Sequence, residues 1–321
     1  MNVIFLNHKI HNCGVYQYGL RLYNILYKSN DITYIYKEID SYDEYKNFIF
    51  DNSKNLIKII FNYHSCTMPW LNSENIYKHN KIKNIGIIHE SRGHFFDIIC
   101  DIVPNQDETP KKFSIPRPIY ENIDNIIFNK DNLISEEVNS FINAYTNDNI
   151  PIFGSFGFGF DNKGFDKIIT LINNNYERAI IKLIIPIAHF DPNNKEQTIN
   201  NIRNKLINIH KKKEIILMIS HTFFSNENIL RFLKSNTMNI FLYDYMNGRS
   251  ISSVIDYALS VKKPLGISDS CMFRNIYHDS ICLYKTSIKD CLENSVNYCE
   301  KFLIEYSHEN LIKKFDSVIK G

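Results

Sequence analysis

Scarcity says more about this sequence than abundance does. Glycine (11), proline (9) and tryptophan (1) are few among 321 residues, so each glycine that does occur asks for a reason. No apolar run approaches the roughly 20 residues a bilayer-spanning helix needs; the strongest, "AIIKLIIPIA" at 179–188, is broken by Lys182 and Pro186. The opening "MNVIFLNHKI" carries too short an apolar stretch for a secretory signal, and no small-residue cleavage site follows it. Cysteines 13, 66, 100, 271, 282, 291 and 299 are odd in number, dispersed and without a CxxC pair. That argues for reduced thiols and against a disulfide framework or a zinc site. Charge excess is missing as well: 37 Lys and Arg against 35 Asp and Glu leave +2, too little for a nucleic-acid footprint. The compact "KKK" at 211–213 reads as a solvated helix end. A cytoplasmic protein without a transmembrane segment is the expectation.

What is present is alternation. Hydrophobic residues make up 44%, enough for two cores of about 150 residues each. Apolar runs at 3–7, 32–39, 57–63, 84–90 and 97–105 read as strands, and Val15, Tyr18, Leu22, Ile25 and Leu26 place a helix over 14–26. Helical patterns also fall near 42–50 and 73–79. The second half repeats the theme, with strands at 150–158, 179–187, 215–222, 238–244 and 264–270. Its helices are expected at 164–175, 196–212, 226–236 and 250–261. The helical run from 287 to 320 is too long for one helix and should break near 307. Such alternation means parallel sheets covered on both faces. The expected architecture is α/β: two Rossmann-like doubly wound domains facing across a cleft, 1–148 and 149–300. A C-terminal segment, 301–321, completes the chain.

Ligands of such sheets bind beyond the carboxyl ends of the strands, so the strand-to-helix junctions carry the functional reading. In "NHKIHNCGVYQYG", Gly14 opens the first helix; its amides suit an anion, or Asn12 simply caps an ordinary helix start. His8 and His11 crowd the same loop, but no carboxylate or thiolate stands at a matching metal spacing. A buried strand ends in His89 and Glu90, a titratable pair placed where an acid, base or electrostatic stabiliser is useful; a satisfied strand-end histidine is the alternative.

"GSFGFGFDNKGF" is neither a P-loop nor a dinucleotide fingerprint, because its GxG does not run directly into a helix. Glycines 154, 157 and 159 would let main chain approach phosphates, with Ser155 beside them and Lys163 as a cation; a structural turn explains them equally. In "NGRSISSVIDYALSVKKP", Arg249, Ser252, Ser253, Asp256 and Ser260 share one face of the expected helix. Arg249, Ser250, Ser252 and Ser253 would hold a diphosphate at its start, and Asp256 a sugar or ribose diol.

Over nearly its whole length the chain resembles the retaining glycosyltransferases of GT-B fold, family 4 and its relatives. The resemblance rests on Cys13-Gly14-Val15 after the first strand, Ile87-Ile88-His89, the strand leading to Lys163-Gly164, and "SSVIDYALSVKKPLGISD". It departs where the family has two glutamates eight residues apart: Arg249 and Tyr257 stand there, with Asp256 one residue off.

The resemblance implies sugar transfer from a nucleotide-diphosphate sugar to an acceptor hydroxyl, without a metal or other cofactor. The second domain would bind the donor, and the first would bind a glycan, lipid-linked or other hydroxyl acceptor. The C-terminal helix would return to the first domain. Main-chain amides at 154–159 would stabilise the departing diphosphate with Lys163 and Arg249. His89 would touch the sugar. A DNA-modifying glycosyltransferase ranks second, and a non-catalytic nucleotide-binding protein of the same fold is the different-class rival.

Overall fold

The computed structural model describes residues 1–52, 58–78, 82–89, 95–103, 108–127, 134–146, 149–188, 193, 195–210 and 212–321. Its strands are β1 (Asn2–Asn7), β2 (Thr33–Glu38), β3 (Lys58–Tyr63), β4 (Lys83–Ile88), β5 (Ile98–Asp101), β6 (Lys112–Ser114), β7 (Ile152–Phe156), β8 (Ala179–Ile184), β9 (Ile215–Ser220), β10 (Met238–Phe241) and β11 (Leu265–Ile267). The helices are α1 (Gly14–Leu26), α2 (Tyr42–Asn52), α3 (Ile123–Ile127), α4 (Glu136–Asn143), α5 (Phe165–Asn175), α6 (Glu196–Ile209), α7 (Asn226–Ser235), α8 (Val254–Ser260), α9 (Ile288–Glu305) and α10 (His308–Lys320). They form two compact units: Met1–Pro118 with Gly248–Ile251 and Glu305–Gly321, and Ile119–Asn247 with Ser252–Ile304.

The first unit holds a six-stranded sheet in the order β2-β1-β3-β4-β5-β6, parallel at every pairing. A parallel sheet is buried on both faces, which is why β1 and β3 read as unbroken apolar runs. Val3, Phe5, Ile60, Ile85 and Ile87 belong to one core with α1 and α10; Ile4, Leu6, Ile59 and Phe61 belong to the other with α2.

Helix α10 joins this unit through Leu311, Phe315, Val318 and Ile319, spaced along one helical face and buried. Each contributes about 1.5–3 kcal/mol relative to exposure. Asp316 adds direction, accepting hydrogen bonds from Ser29 Oγ at 2.7 Å and Tyr34 Oη at 3.0 Å. Ser307 caps the helix, which is where the long C-terminal pattern breaks.

The second unit holds a five-stranded sheet in the order β11-β10-β7-β8-β9, again all parallel. Helices α3 and α4 pack against α7 of this same unit. The buried ammonium of Lys182 in β8 donates to the carbonyl of Ile142 in α4 at 2.8 Å. The segment 119–146 is therefore tied to the second sheet, and the expected boundary at 148, itself outside the described residues, falls inside this unit.

Two sequence expectations change. Residues 73–76 form turns rather than a helix, because Asn72 Oδ1 accepts the amides of Glu74 and Asn75. The helix expected over 250–261 spans only Val254–Ser260. Tertiary hydrogen bonds hold its first residues out: Ser250 Oγ donates to the His89 carbonyl, and the Ser252 amide donates to the Met272 carbonyl.

Candidate functional site

The carboxyl ends of the first unit's central strands close on a connected polar network. Asn7 ends β1, Asn62 lies near the end of β3 and His89 follows β4; all three are buried. His89 Nε2 meets Asn62 Oδ1 at 2.7 Å. Asn62 Nδ2 donates to Asn7 Oδ1 at 2.9 Å and to the Val15 carbonyl at 2.7 Å. Since the Asn62 amide nitrogen is thus identified, its oxygen accepts, and His89 must carry its proton on Nε2. The lone pair of His89 is therefore on Nδ1. Burial, with the positive charge of Arg117 and the neighbouring His64 and His8, drives the His89 pKa well below its usual 6.5. It is a neutral imidazole across the physiological range.

The network continues outward. Asn7 Nδ2 donates to the Tyr16 carbonyl and to Tyr36 Oη, and both tyrosine hydroxyls donate to Glu38. Burial raises the Glu38 carboxyl, but hydrogen bonds from Tyr16, His11 and Tyr36 outweigh that and hold it below its usual range. Arg117, buried, donates to the Ile102 carbonyl at 3.1 Å and lies 4.9 Å from the Tyr18 ring centre. Tyr18 meets the His89 ring edge-on at 4.7 Å.

Gly14 begins α1, whose cap residue is Cys13 rather than Asn12, and no side chain caps the helix. Ser250 sits with this unit on the His89 carbonyl, and Arg249 is exposed beside it in sequence. Glu90, the other half of the expected acid–base pair, lies outside the described residues.

The second unit's strand ends are built differently. Lys163 closes a short 3₁₀ turn after β7, and its ammonium lies 3.9 Å from the centre of the Tyr243 ring, a cation–π contact. Burial pushes the Tyr243 phenol up, against a smaller opposing contribution from Ser252. Its hydroxyl is buried without a hydrogen-bond partner. Lys167 pairs with Asp244 at 2.5 Å, and Ser270 Oγ donates to the Asp244 carbonyl at 2.9 Å.

The glycine-rich stretch turns out to be spoken for internally. A Cβ on Gly154 would stand 1.8 Å from Asn236 Nδ2, so this residue makes room for a neighbour within the sheet. Gly164 takes φ +65 and its Cβ would meet the Leu242 carbonyl at 1.9 Å, a place only glycine fills without strain. The amides of Gly157, Gly159, Phe160, Lys163 and Gly164 all donate to main-chain carbonyls. In this structure Gly154 serves packing and the amides of Gly157 and Gly159 are taken up by main-chain carbonyls, and the donor-binding role expected of this loop is a proposal. Ser155 is fully buried inside β7, and its hydroxyl has no partner. Cation and helix start remain at this junction, since α5 begins at Phe165 after the cap residue Gly164, with no side-chain cap for its first-turn amides.

Helix α8 does not offer the expected open polar face. Ser252, Asp256 and Ser260 are buried, Ser253 is half-buried at its start, and Arg249 belongs to the other unit. Ser260 Oγ accepts the Tyr120 amide at 2.7 Å and donates to the Asp256 carbonyl at 2.5 Å. Among the described residues no group of three or more His, Cys, Asp and Glu is arranged to hold a metal ion. All seven cysteines are free thiols, and no described helix is long and apolar enough to cross a membrane.

Of the residues around these strand ends, the sequence expectations named His89 and Lys163 and did not name Asn7, Asn62, Tyr243 or Arg117. A signal existed for the first two: an apolar strand run that ends in asparagine, at the same edge as the strand that ends in histidine.

No family model and no curated protein sequence matches this chain. Solved structures do match, along the full length. HepE (Alr3699) of Anabaena in complex with UDP-glucose shares 8% identity at a TM-score of 0.67, covering 100% of this chain and 99% of HepE. The trehalose-6-phosphate synthase OtsA shares 9% identity at a TM-score of 0.63, with 100% and 98% covered. An α-glucosyltransferase (AGT) in complex with UDP shares 12% at a TM-score of 0.58, with 100% and 99% covered. At such identities the likeness is one of fold. The chain has the GT-B fold, with its two parallel-sheet α/β units.

Proposed function

We propose that the chain is a glycosyltransferase that moves a sugar from a nucleotide-diphosphate sugar to an acceptor hydroxyl. The observation that carries this reading is His89, a neutral imidazole with its tautomer fixed by Asn62 and a lone pair left on Nδ1. A histidine so poor at holding a proton is unsuited to be a general base at neutral pH. It is well suited to accept a hydrogen bond from a sugar hydroxyl. The full-length likeness to proteins solved with UDP or UDP-glucose supports the same reading.

In this account the second unit takes the donor. As the bond from the anomeric carbon to the diphosphate breaks, negative charge develops on the leaving oxygen, and a preformed cation lowers that barrier. Lys163, braced on Tyr243, and the first-turn amides of α5 supply the field. On the donor side the half-buried Ser253 at the start of α8 joins them, while Ser252 and Asp256 are buried and take no ligand contact in this reading. The first unit takes the acceptor, with His89 on its side; Gly14, Arg249 and Ser250, expected to bind the donor, belong to this unit as well.

Transfer with retention and without a metal belongs to the proposal. The reason for the latter is that the charge on the leaving group falls to the Lys163 ammonium and the amides of α5 rather than to a carboxylate-held ion. The test is UDP release from UDP-glucose, UDP-galactose and UDP-N-acetylglucosamine, with and without glycoside acceptors and a chelator. Release from at least one donor, stimulated by an acceptor and indifferent to chelation, is expected. Full inhibition by chelation would remove the metal-free claim, and no binding or turnover of any nucleotide sugar would remove the reading. The anomeric configuration of the product, read by NMR, decides retention.

A further inference from the structure

His8 is one of the buried polar side chains of the first unit left without a full set of partners, Trp70 being another. His8 follows β1, is fully buried, and its Nε2 has no hydrogen-bond partner. Its Nδ1 accepts the Ile10 amide at 3.0 Å, so the proton of the neutral ring sits on Nε2 and points to nothing. Burial and the nearby His64 push the His8 pKa down to about 4, with only Glu38 pulling the other way; the ring is a neutral donor, not a cation. A buried donor left unmade is costly, and native proteins rarely carry one without use. The surrounding groups show the contrast: the Asn7, Asn62, Tyr16 and Tyr36 side chains and the His8 amide are bonded to one another, to main-chain carbonyls or to Glu38.

The segment that follows His8 in sequence is lightly fastened. Residues 9–12 are exposed. They are tied by the Cys13 amide to the Ile10 carbonyl, by Gln17 Nε2 to the His11 carbonyl at 2.7 Å, and by three surface pairs, Lys9–Glu44 at 2.5 Å, Lys9–Asp40 at 3.8 Å and His11–Glu38 at 3.2 Å. Exposed ion pairs of this kind hold a loop weakly.

We propose that displacement of the exposed side chains of residues 9–12, with the Ile10 amide kept on His8 Nδ1, presents the Nε2–H of His8 to an uncharged oxygen of the acceptor, making His8 the donor that selects a neutral polyhydroxylated glycoside. The proposal rests on the sugar-transfer reading above and sharpens it. An uncharged oxygen is specified because the Glu38 carboxylate lies close enough to act on His8 and would repel an anionic group. His89 and His8 then form a complementary pair on one strand-tip edge, the first receiving a hydrogen through Nδ1 and the second giving one through Nε2.

The discriminating variant is His8→Asn, whose Oδ1 can still accept the Ile10 amide while the Nε2 donor is gone. Two measurements are made on the full chain. One is ¹⁵N-imidazole NMR of the wild type titrated with UDP, with the p-nitrophenyl α- and β-glucosides and galactosides, and with inorganic phosphate. The other is the acceptor kcat/KM of wild type and variant with UDP-glucose, alongside UDP affinity and Tm. At least one glycoside should shift the His8 resonance while phosphate does not. His8→Asn should lose tenfold or more in acceptor kcat/KM, with UDP affinity within twofold and Tm no lower.

The proposal is overturned if no glycoside moves His8, if phosphate does, or if the variant keeps its acceptor kcat/KM. A drop in Tm and in UDP affinity together would mark His8 as merely structural and overturn it too. Binding and turnover of UDP-glucose with a silent His8 would sink this inference alone. Absence of any UDP or UDP-glucose binding would sink the sugar-transfer reading and this inference with it.

Discussion

The strand tips of the two units solve different problems with the same sheet. In the first unit they carry buried imidazoles and carboxamides, His8, Asn7, Asn62 and His89, and the two histidines have pKa values pressed down by burial. In the second they carry ammonium groups and carboxylates, with Lys163 on the Tyr243 ring and Lys167 on Asp244. A neutral network fixed in tautomer reads the directions of hydrogen bonds, whereas a half-exposed cation reads charge. The difference fits a unit that orders hydroxyls and a unit that steadies a diphosphate.

The largest expected effect tests how rigid the charged tip is. Gly164→Ala must place a Cβ against the Leu242 carbonyl at positive φ, and should cost about 3–4 kcal/mol from strain and overpacking together. Urea unfolding would show it as a lower midpoint at unchanged slope; a neutral result would mean that the turn leading into α5 is pliable.

The next pair contrasts the units by pH. The His8 pKa falls from 6.5 to about 4, so the unfolded chain takes up a proton that the folded chain refuses. Its contribution to stability is full above about pH 6.5 and is lost as pH falls toward 4, by about 3 kcal/mol. In the second unit Lys182 falls from 10.5 to about 8 through burial, so the folded chain gives up that proton first. Stability from this group should rise as pH climbs from about 8 to 10.5, again by up to about 3 kcal/mol. Denaturant titrations across both windows check the signs. His8→Asn should flatten the acid limb and Lys182→Met the alkaline limb, each leaving the other untouched.

Smaller, and confined to binding, is Lys163→Met. Loss of one charge-assisted contact should weaken UDP about 10- to 50-fold by calorimetry, in line with about 1.5–2.5 kcal/mol, with little change in Tm.

Much of this was legible in the sequence. Helix α1 occupies 14–26 as its periodicity requires, and Ser307 breaks the C-terminal run where the pattern falters. The parallel sheets follow from apolar runs that do not alternate. Short elements escaped: β6 and α3 have three and five residues, too few for a period to show. The site was legible only in part, because a glycine is the same letter whether it admits a phosphate or an asparagine side chain. Gly154 belongs to the second kind. The polar stripe from Arg249 to Ser260 failed for a related reason: helical spacing predicts a shared face, but tertiary hydrogen bonds at Ser250 and Ser252 decide where the helix begins.

The central claim is that the second unit holds the diphosphate of the donor at the junction of β7 and α5. Amide hydrogen exchange with and without UDP tests it most directly. The account predicts slowed exchange over Phe158–Lys167, reduced in Lys163→Met; unchanged exchange there at saturating UDP, or protection confined to other segments, would contradict it.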